Sequence, residues 1–379
     1  MATRHGRGLT RREFGKVSAA ATFAVLTARS GVAETNGETL KVGLLGCGSR
    51  GTGAAINMID GNENVKITAM ADLFTDRLDR SKRMLERSAN AAKVDVSMDQ
   101  MFTGLDAYEQ ILKTDVDIII EGTLPYSRPR HITAIIDAGK HLFTEKPAAV
   151  DPVGIREVVA ASKKAREKNL SIVAGTQRRH QREYVETIKK IQDGAIGDVV
   201  AARAYWCDSL PFVHDRRDAE MSDLEYRIRN WYSYCWVSGD NIVEQHVHNL
   251  DVINWVKGAY PVSVFASGGR TWKPDEERFG DIYDHFACDY EYADGTHMTS
   301  MSRHWKGDNL VFEEVVGTKG RSNCRDMGTP AENPYVQEHI DLVASVRGTG
   351  PYLNEGEQVA YSTLTAIMGR MSAYTGQAV

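Results

Sequence analysis

The chain reads as an α/β protein in two parts: a doubly wound parallel sheet first, then an α+β domain with an open, mostly antiparallel sheet. Three observations predict this. The hexapeptide Gly46-Cys47-Gly48-Ser49-Arg50-Gly51 sits between a short apolar run and a helix-like segment. Apolar runs and helix-like segments then alternate as far as Pro147, the pattern that places helices on both faces of a parallel sheet. Beyond residue 199 long strand-like runs dominate, and Asp294-Gly295 marks a hairpin turn among them.

Residues 1–33 precede the fold. Thr10-Arg11-Arg12-Glu13-Phe14-Gly15-Lys16 leads into a short apolar run, Val17 to Ala28, with small residues at Gly31-Val32-Ala33. That is the form of an export signal, and the paired arginines with Phe14 and Lys16 resemble the twin-arginine type. The run is too short and too rich in alanine to span a hydrocarbon core of about 30 Å, so no stable membrane insertion is expected. Strands follow at 40–45, 65–71, 116–120, 141–144 and 171–174, and helices at 50–60, 75–90, 106–113, 128–138, 151–168 and 181–193. Val116 to Ile120 is nearly continuously apolar, as a strand buried on both faces requires. Asp151 and Pro152 supply an N-cap and a first helical residue. Later strands are expected at 199–206, 262–268, 286–292, 298–302 and 311–317, with one helix over 241–257 and a last one over 355–374. The expected division is an export signal (1–33), a first domain (38–160), a second domain (161–354) and a C-terminal helix (355–379) packing back on the first.

The glycine hexapeptide carries the first chemical indication. Between a strand and a helix, its first glycine permits a tight turn and its second lets a pyrophosphate approach the backbone. Its third lets helix and strand pack closely. The helix start offers unpaired N–H groups and a positive dipole end to the phosphates. Asp72 closes the next strand, 21 residues past Gly51, near the spacing of about 20 at which a carboxylate holds an adenosine ribose. A carboxylate there repels a 2′-phosphate and argues for NAD. Arg50 is the residue that could instead meet that phosphate, so NADP stays open.

Two further stretches supply reactive groups. In Glu145-Lys146-Pro147 the proline ends a strand, which sets Lys146 at the carboxyl edge of the sheet, where open α/β sheets bind ligands. A lysine there can donate to a substrate hydroxyl and hold a developing alkoxide. In Glu244-Gln245-His246-Val247-His248-Asn249-Leu250-Asp251, a continuous helix puts Glu244, His248, Asp251 and Trp255 on one face. Glu244 would then orient the His248 imidazole as a proton acceptor, with Asn241 capping the helix. His246 and His248 point to nearly opposite sides of such a helix, so no metal site is expected. Aromatic and polar clusters suit sugar rings, and from these and from Gln177-Arg178-Arg179-His180 the candidate substrate contacts are Gln177, Arg229, Tyr232 and His285.

Composition narrows the classes. The 379 residues are 42% hydrophobic and 26% charged, with a net charge of −5. No basic stripe with interleaved aromatics occurs, so no nucleic-acid partner is expected. The five cysteines form no C-x-x-C pair, which argues against a zinc ribbon or a disulfide framework.

From about residue 40 to its end the chain resembles the glucose–fructose oxidoreductase / inositol dehydrogenase (Gfo/Idh/MocA) family. The resemblance rests on Gly46 to Gly51, Asp72, Thr123-Leu124-Pro125 with His131, Gly139-Lys140-His141, Glu145-Lys146-Pro147, Gly194-Ala195-Ile196-Gly197 and Gly239 through Asp251. The exported subset with a Gln-Arg-Arg stretch is particularly similar. The resemblance implies a Rossmann domain, then a domain whose open sheet makes a homodimer or homotetramer interface. It implies hydride transfer between a saccharide or cyclic polyol and NAD(P). It puts the family's lysine on Lys146, its proton-transferring histidine on His248, its acid on Glu244 and a supporting aspartate on Asp251. The cofactor site becomes Gly46, Gly48, Ser49, Arg50, Gly51, Asp72, Thr123, Pro125, His131, Glu145 and Lys146. Two departures stand out: glutamate replaces the usual aspartate at 244, and Tyr126 alters the Pro-Asn-x-x-His pattern. An enzyme exported folded through the twin-arginine machinery to the periplasm should keep its cofactor tightly bound. Two other readings share these residues: a glycoside hydrolase working by transient oxidation, elimination, hydration and re-reduction, and a non-catalytic nucleotide sensor.

Overall fold

The computed structural model describes residues 37–213, 217–218, 220–330 and 332–379; the export signal expected over 1–33 lies outside them. β1 (Leu40–Leu45) turns through the glycine hexapeptide into α1 (Ser49–Gly61). The unit repeats through β2 (Val65–Asp72), α2 (Thr75–Leu85), β3 (Met101–Thr103), α3 (Ala107–Ile111), β4 (Ile118–Glu121), α4 (Arg128–Asp137), β5 (His141–Thr144), α5 (Pro152–Glu167) and β6 (Ile172–Ala174). All pairings are parallel, in the order β3-β2-β1-β4-β5-β6. Ile118, Ile119 and Ile120 are wholly buried, as a strand covered on both faces must be. The Asp151 side chain accepts from the Gly154 amide at 2.8 Å and Pro152 opens α5. The sheet runs past residue 160 to include β6.

A second sheet follows α6 (Arg182–Gln192). Its first strand is β7 (Val199–Asp208), after which come four short helices: α7 (Asp223–Arg229), α8 (Cys235–Ser238), α9 (Asn241–Glu244) and α10 (Val247–Lys257). Then β8 (Ser263–Gly269), β9 (His285–Glu291), β10 (His297–His304), β11 (Leu310–Gly317) and β12 (Arg321–Ser322) complete the order β12-β11-β7-β10-β9-β8. Only β7 with β10 is parallel. The β9–β10 turn has Gly295 at φ +80°, and Tyr292 donates to Thr296 across it at 2.9 Å. Side chains alternate between faces. Met298, Ser300, Ser302 and His304 point into the protein, while Phe265 and Met301 remain exposed on the other face.

Two differences from the sequence expectation have physical causes. The helix expected over 241–257 is broken after Glu244. The Glu244 carbonyl accepts from the Lys146 ammonium rather than from the amide four residues on, and the His248 amide donates to Gln245 at 3.3 Å instead. The cap is Asp240, not Asn241. Asp240 is wholly buried at φ +76° and accepts from Asn241, Tyr283 and the Tyr374 hydroxyl at 2.5, 2.9 and 2.6 Å.

The second difference is a helix the hydrophobic pattern did not indicate, α11 (Pro334–Arg347). It packs on α1 and β6, so a stretch inside 161–354 completes the first sheet's covering layer. Its Leu342 and Val343 join Val42, Leu44, Ile118, Ile120, Phe143 and Val173 in one buried cluster. α12 (Gly356–Thr375) lies between α5 and β8. Its Thr363 and Ser372 hydroxyls accept from the amides of Ala148 and Ala266 at 3.1 and 2.9 Å. Arg370 donates to the carbonyls of Val150 and Gly239 at 2.7 and 2.9 Å, spanning the two sheets' domains.

The turn after β6 anchors this assembly. Arg179 forks onto Asp251 of α10 at 2.8 and 3.0 Å, and Asp251 also accepts from Gln358 and Ser362 of α12 at 2.6 and 2.7 Å. Removing one partner of a buried pair leaves the other charge uncompensated. Arg179→Ala is therefore expected to lower the unfolding free energy by ~3 kcal/mol, read from urea denaturation; a loss below about 1 kcal/mol would class the pair as an ordinary surface contact.

Candidate active site

The carboxyl edge of the parallel sheet collects most of the predicted residues. Gly46 turns at φ +95°, and a Cβ there would lie 2.5 Å from the Gly122 backbone. A Cβ on Gly51 would meet the Gly46 carbonyl oxygen at 2.0 Å. The β1–α1 turn and the end of β4 are thus in contact through glycines. Gly48 differs: a Cβ there would meet nothing within 4 Å. Gly48 is the N-cap and supplies no side-chain cap, so the first-turn amides of Ser49, Arg50 and Gly51 lack intrahelical acceptors, and the space above Gly48 is open. That cradle fits a pyrophosphate. At the end of β2, Asp72 accepts from the amides of Cys47 and Phe74 at 2.6 and 2.9 Å. Burial pushes its carboxyl up, against the pull of these amides. Each oxygen keeps a lone pair for a ribose hydroxyl.

Arg50 turns toward Glu145 and Glu338 rather than toward Asp72. It pairs with Glu145 and, at 3.2 Å, with Glu338 of α11, and lies 4.8 Å from the Tyr335 ring centroid. Burial, then the neighbouring Glu145, pushes the Glu338 carboxyl well above the carboxylate range. Glu338 was invisible to the sequence reading because α11 was. Asn333 as N-cap, Pro334 at the first helical position and Gly348 after the helix were the available start and stop signals.

Thr123 and His131 belong to a network around the buried Glu121. The Thr123 hydroxyl meets the Glu121 carboxylate and the His131 Nδ1, the latter at 2.9 Å. Arg128 donates to Glu121 at 2.8 Å. Burial opposes ionisation of Glu121, but Arg128 and His131 outweigh it and hold the carboxyl at about 2. Pro125 is buried and His131 is held in this network by Thr123, so neither is an open contact surface.

Lys146 stands at the end of β5 with its ammonium on Glu244, 2.8 Å to Oε1 plus the carbonyl. Both side chains are nearly closed off, 10% and 9% exposed. This corrects the expected role of Glu244. Its Oε1 is on Lys146 and its Oε2 has no hydrogen-bond partner, so it does not orient His248; the break after α9 removes the one-turn spacing that role required. His248 instead stacks on Trp206, centroids 5.9 Å apart and planes at 26°. Burial, then Lys146, Arg178 and Arg50, holds its imidazole well below the ordinary histidine value. The ring is neutral at pH 7. Its neighbour His246 is buried with Nε2 on the Ser300 hydroxyl at 2.6 Å.

The remaining candidates fall elsewhere. Asp251 serves the Arg179 anchor and touches α12, not the His248 ring. Arg229 pairs with Asp76 and Glu225, at the end of β2 rather than beside Lys146. Tyr232 is only 1% exposed, with its hydroxyl on His304 at 2.8 Å, so it forms wall rather than contact surface. His285 is held by Asp284 at 2.7 Å and packs edge-on to Trp272. Gln177 donates to Tyr335 at 3.2 Å, while its buried Oε1 lacks a partner. Trp206, and Arg178 of the Gln177–His180 stretch, are the residues adjoining His248. Arg178 is fixed by Glu313 of β11, and Trp206 by its inward register on β7.

Comparison with known proteins agrees with this layout. The family described as "Oxidoreductase family, NAD-binding Rossmann fold" matches residues 40–173, and the GFO/IDH/MocA C-terminal domain matches residues 184–322. A myo-inositol 2-dehydrogenase of Thermotoga maritima is 24% identical over 245 residues, 64% of this chain and 62% of the relative. A scyllo-inositol 2-dehydrogenase (NAD(+)) of Bacillus subtilis is 23% identical over 282 residues, 74% of this chain and 72% of the relative. The crystal structure of scyllo-inositol dehydrogenase from Lactobacillus casei, with bound cofactor NAD(H) and scyllo-inositol, superposes with a TM-score of 0.71 at 19% identity. It covers 90% of this chain and 99% of that one. With both domains matched, in order and over most of its length, the chain belongs to the Gfo/Idh/MocA oxidoreductases, and its first domain is their NAD-binding Rossmann fold.

Proposed function

We propose that the protein moves hydride between a secondary hydroxyl of a saccharide or cyclic polyol and NAD. The observation that carries this reading is the meeting of the Lys146–Glu244 pair with a neutral His248 at the sheet edge where the glycine cradle opens. Bound NAD supplies the hydride acceptor. An ammonium has three donors; Glu244 takes two from Lys146, which leaves one for the substrate oxygen. His248 takes the hydroxyl proton, and Lys146 holds the negative charge that develops on that oxygen. Trp206, stacked on His248, offers a flat apolar face to a sugar ring. The inositol dehydrogenases among the relatives support the polyol class.

The finer expectations are part of the same proposal. The paired arginines near the N-terminus support export through the twin-arginine route to the periplasm, with NAD retained from the cytoplasm. The uncovered face of the second sheet, bearing Val200, Phe265, Met301, Leu310 and Val316, supports assembly as a homodimer or homotetramer, since exposed apolar patches mark association surfaces.

Three outcomes are expected. Lys146→Ala and His248→Ala each lower kcat by about 10²–10⁴-fold with NAD still bound, measured against a panel of polyols and sugars; an unchanged kcat removes that residue's role. Gly48→Val keeps the fold, since the site above Gly48 is open, but loses NAD binding by calorimetry; retained binding places the pyrophosphate elsewhere. His248 acts as a base and its imidazolium is disfavoured. Activity therefore persists as pH falls through 6.5, the ordinary histidine value, and the acid limb of kcat/KM lies below it. A limb at or above that value contradicts the assignment.

A further inference from the structure

Arg229 is fastened far from the residues that act on substrate, and its fastening lies at one end of the NAD seat. Its guanidinium stands 3.9 Å over the Phe74 ring. Two of its nitrogens meet both oxygens of Asp76 at 3.2 and 3.0 Å, and the third meets Glu225 at 2.9 Å. Phe74 and Asp76 lie two and four residues past Asp72, and the Phe74 amide is on the Asp72 carboxylate. The same stretch of the second domain is fastened again at Trp236-Val237. There the Tyr126 amide donates to the Val237 carbonyl at 3.2 Å, and the Tyr126 ring packs edge-on against Trp236 at 5.3 Å. Tyr126 lies just beyond β4.

β2 and β4 flank β1 on opposite sides. A segment tied at the ends of both must cross the end of β1, where the glycine hexapeptide begins. A dinucleotide lying along the carboxyl edge of such a sheet runs beneath that crossing. The segment cannot hold itself in place: α7 has seven residues and α8 four, too few for helices that are stable without outside contacts. Its middle is held by the second domain, through Ser233 and Asn230 on the Arg278 carbonyl at 2.9 and 2.8 Å and Tyr232 on His304 at 2.8 Å, and its two ends fasten it to the first. The Arg229 end is the electrostatic one: a two-pronged ion pair with a carboxylate, backed by an aromatic face.

We propose that residues 229–237 form a strap over the bound NAD, with Arg229 on Asp76 and Phe74 as its latch, and that NAD leaves only when the latch opens. This rests on the reading of the cleft as an NAD seat. It reassigns Arg229 from substrate contact to cofactor retention.

The test loads the full chain with NADH and follows loss of bound-NADH fluorescence after mixing with excess NAD⁺. Arg229→Ala and Asp76→Ala should each speed release about tenfold. The double variant should release no faster than either single one, because both remove the same contact. Tyr126→Ala, at the other fastening, should also speed release. Wild-type release rates in both single latch variants, or effects that multiply in the double variant, overturn the latch and leave the NAD seat standing. A wild-type protein that takes up no NADH overturns both.

Discussion

A buried ammonium that must find a partner organises the junction of the two domains. Lys146 comes from the end of a first-domain strand, and its counter-charge, Glu244, from a short helix of the second. An unpaired charge at this depth would cost several kcal/mol, so the backbone around Glu244 answers to the lysine before it answers to helix geometry. The Glu244 carbonyl leaves the helical ladder to meet the ammonium. The helix restarts one residue before His248. That restart carries the imidazole away from Glu244 and against Trp206, where burial first, then nearby positive charges, disfavours its protonation. One ion pair thereby helps join the domains and directs where the His248 imidazole lies.

The interior around this pair is continuous. One apolar cluster runs from the α4 and α5 side of the parallel sheet, through α10 and α12, into the inner face of the second sheet. Arg370 and the Arg179–Asp251 fork tie polar groups across the same boundary. The two domains are two sheets sharing a core, and the cleft between them is set by packing on every side. A substituent that shifts α12 would be felt at the Lys146 edge through Ala148, whose amide is held by Thr363.

Much of this was legible in the chain. The parallel sheet could be read because its strands are local, buried on both faces and punctuated by glycine and proline. The hexapeptide, Asp72 and Lys146 could be read because fixed chemistry needs fixed spacing along one strand edge. The Glu244–His248 relation could not, because periodicity assumes an unbroken helix, and the break here comes from Lys146, 98 residues earlier in sequence. Helix α11 was hidden by its own amphipathic weakness: its buried side includes Glu338, His339 and Ser345 beside Leu342 and Val343, so no clean apolar stripe announces it. Arg229 was misplaced because an arginine among aromatics looks the same in sequence whether it faces a ligand or a neighbouring loop.

The late arrival of α11 bears on the order in which the molecule can be finished. Synthesis proceeds from the N-terminus, and domains ordinarily fold as they emerge. By residue 174 all six strands of the parallel sheet exist, yet the face that carries Leu44, Phe143 and Val173 lacks the helix that closes it. That helix ends at Arg347, and the carboxylate it gives to Arg50 arrives with it. The nucleotide-binding half is therefore the first to begin and among the last to be completed. Its completion waits for synthesis of the second domain's strands and of the helix ending at Arg347.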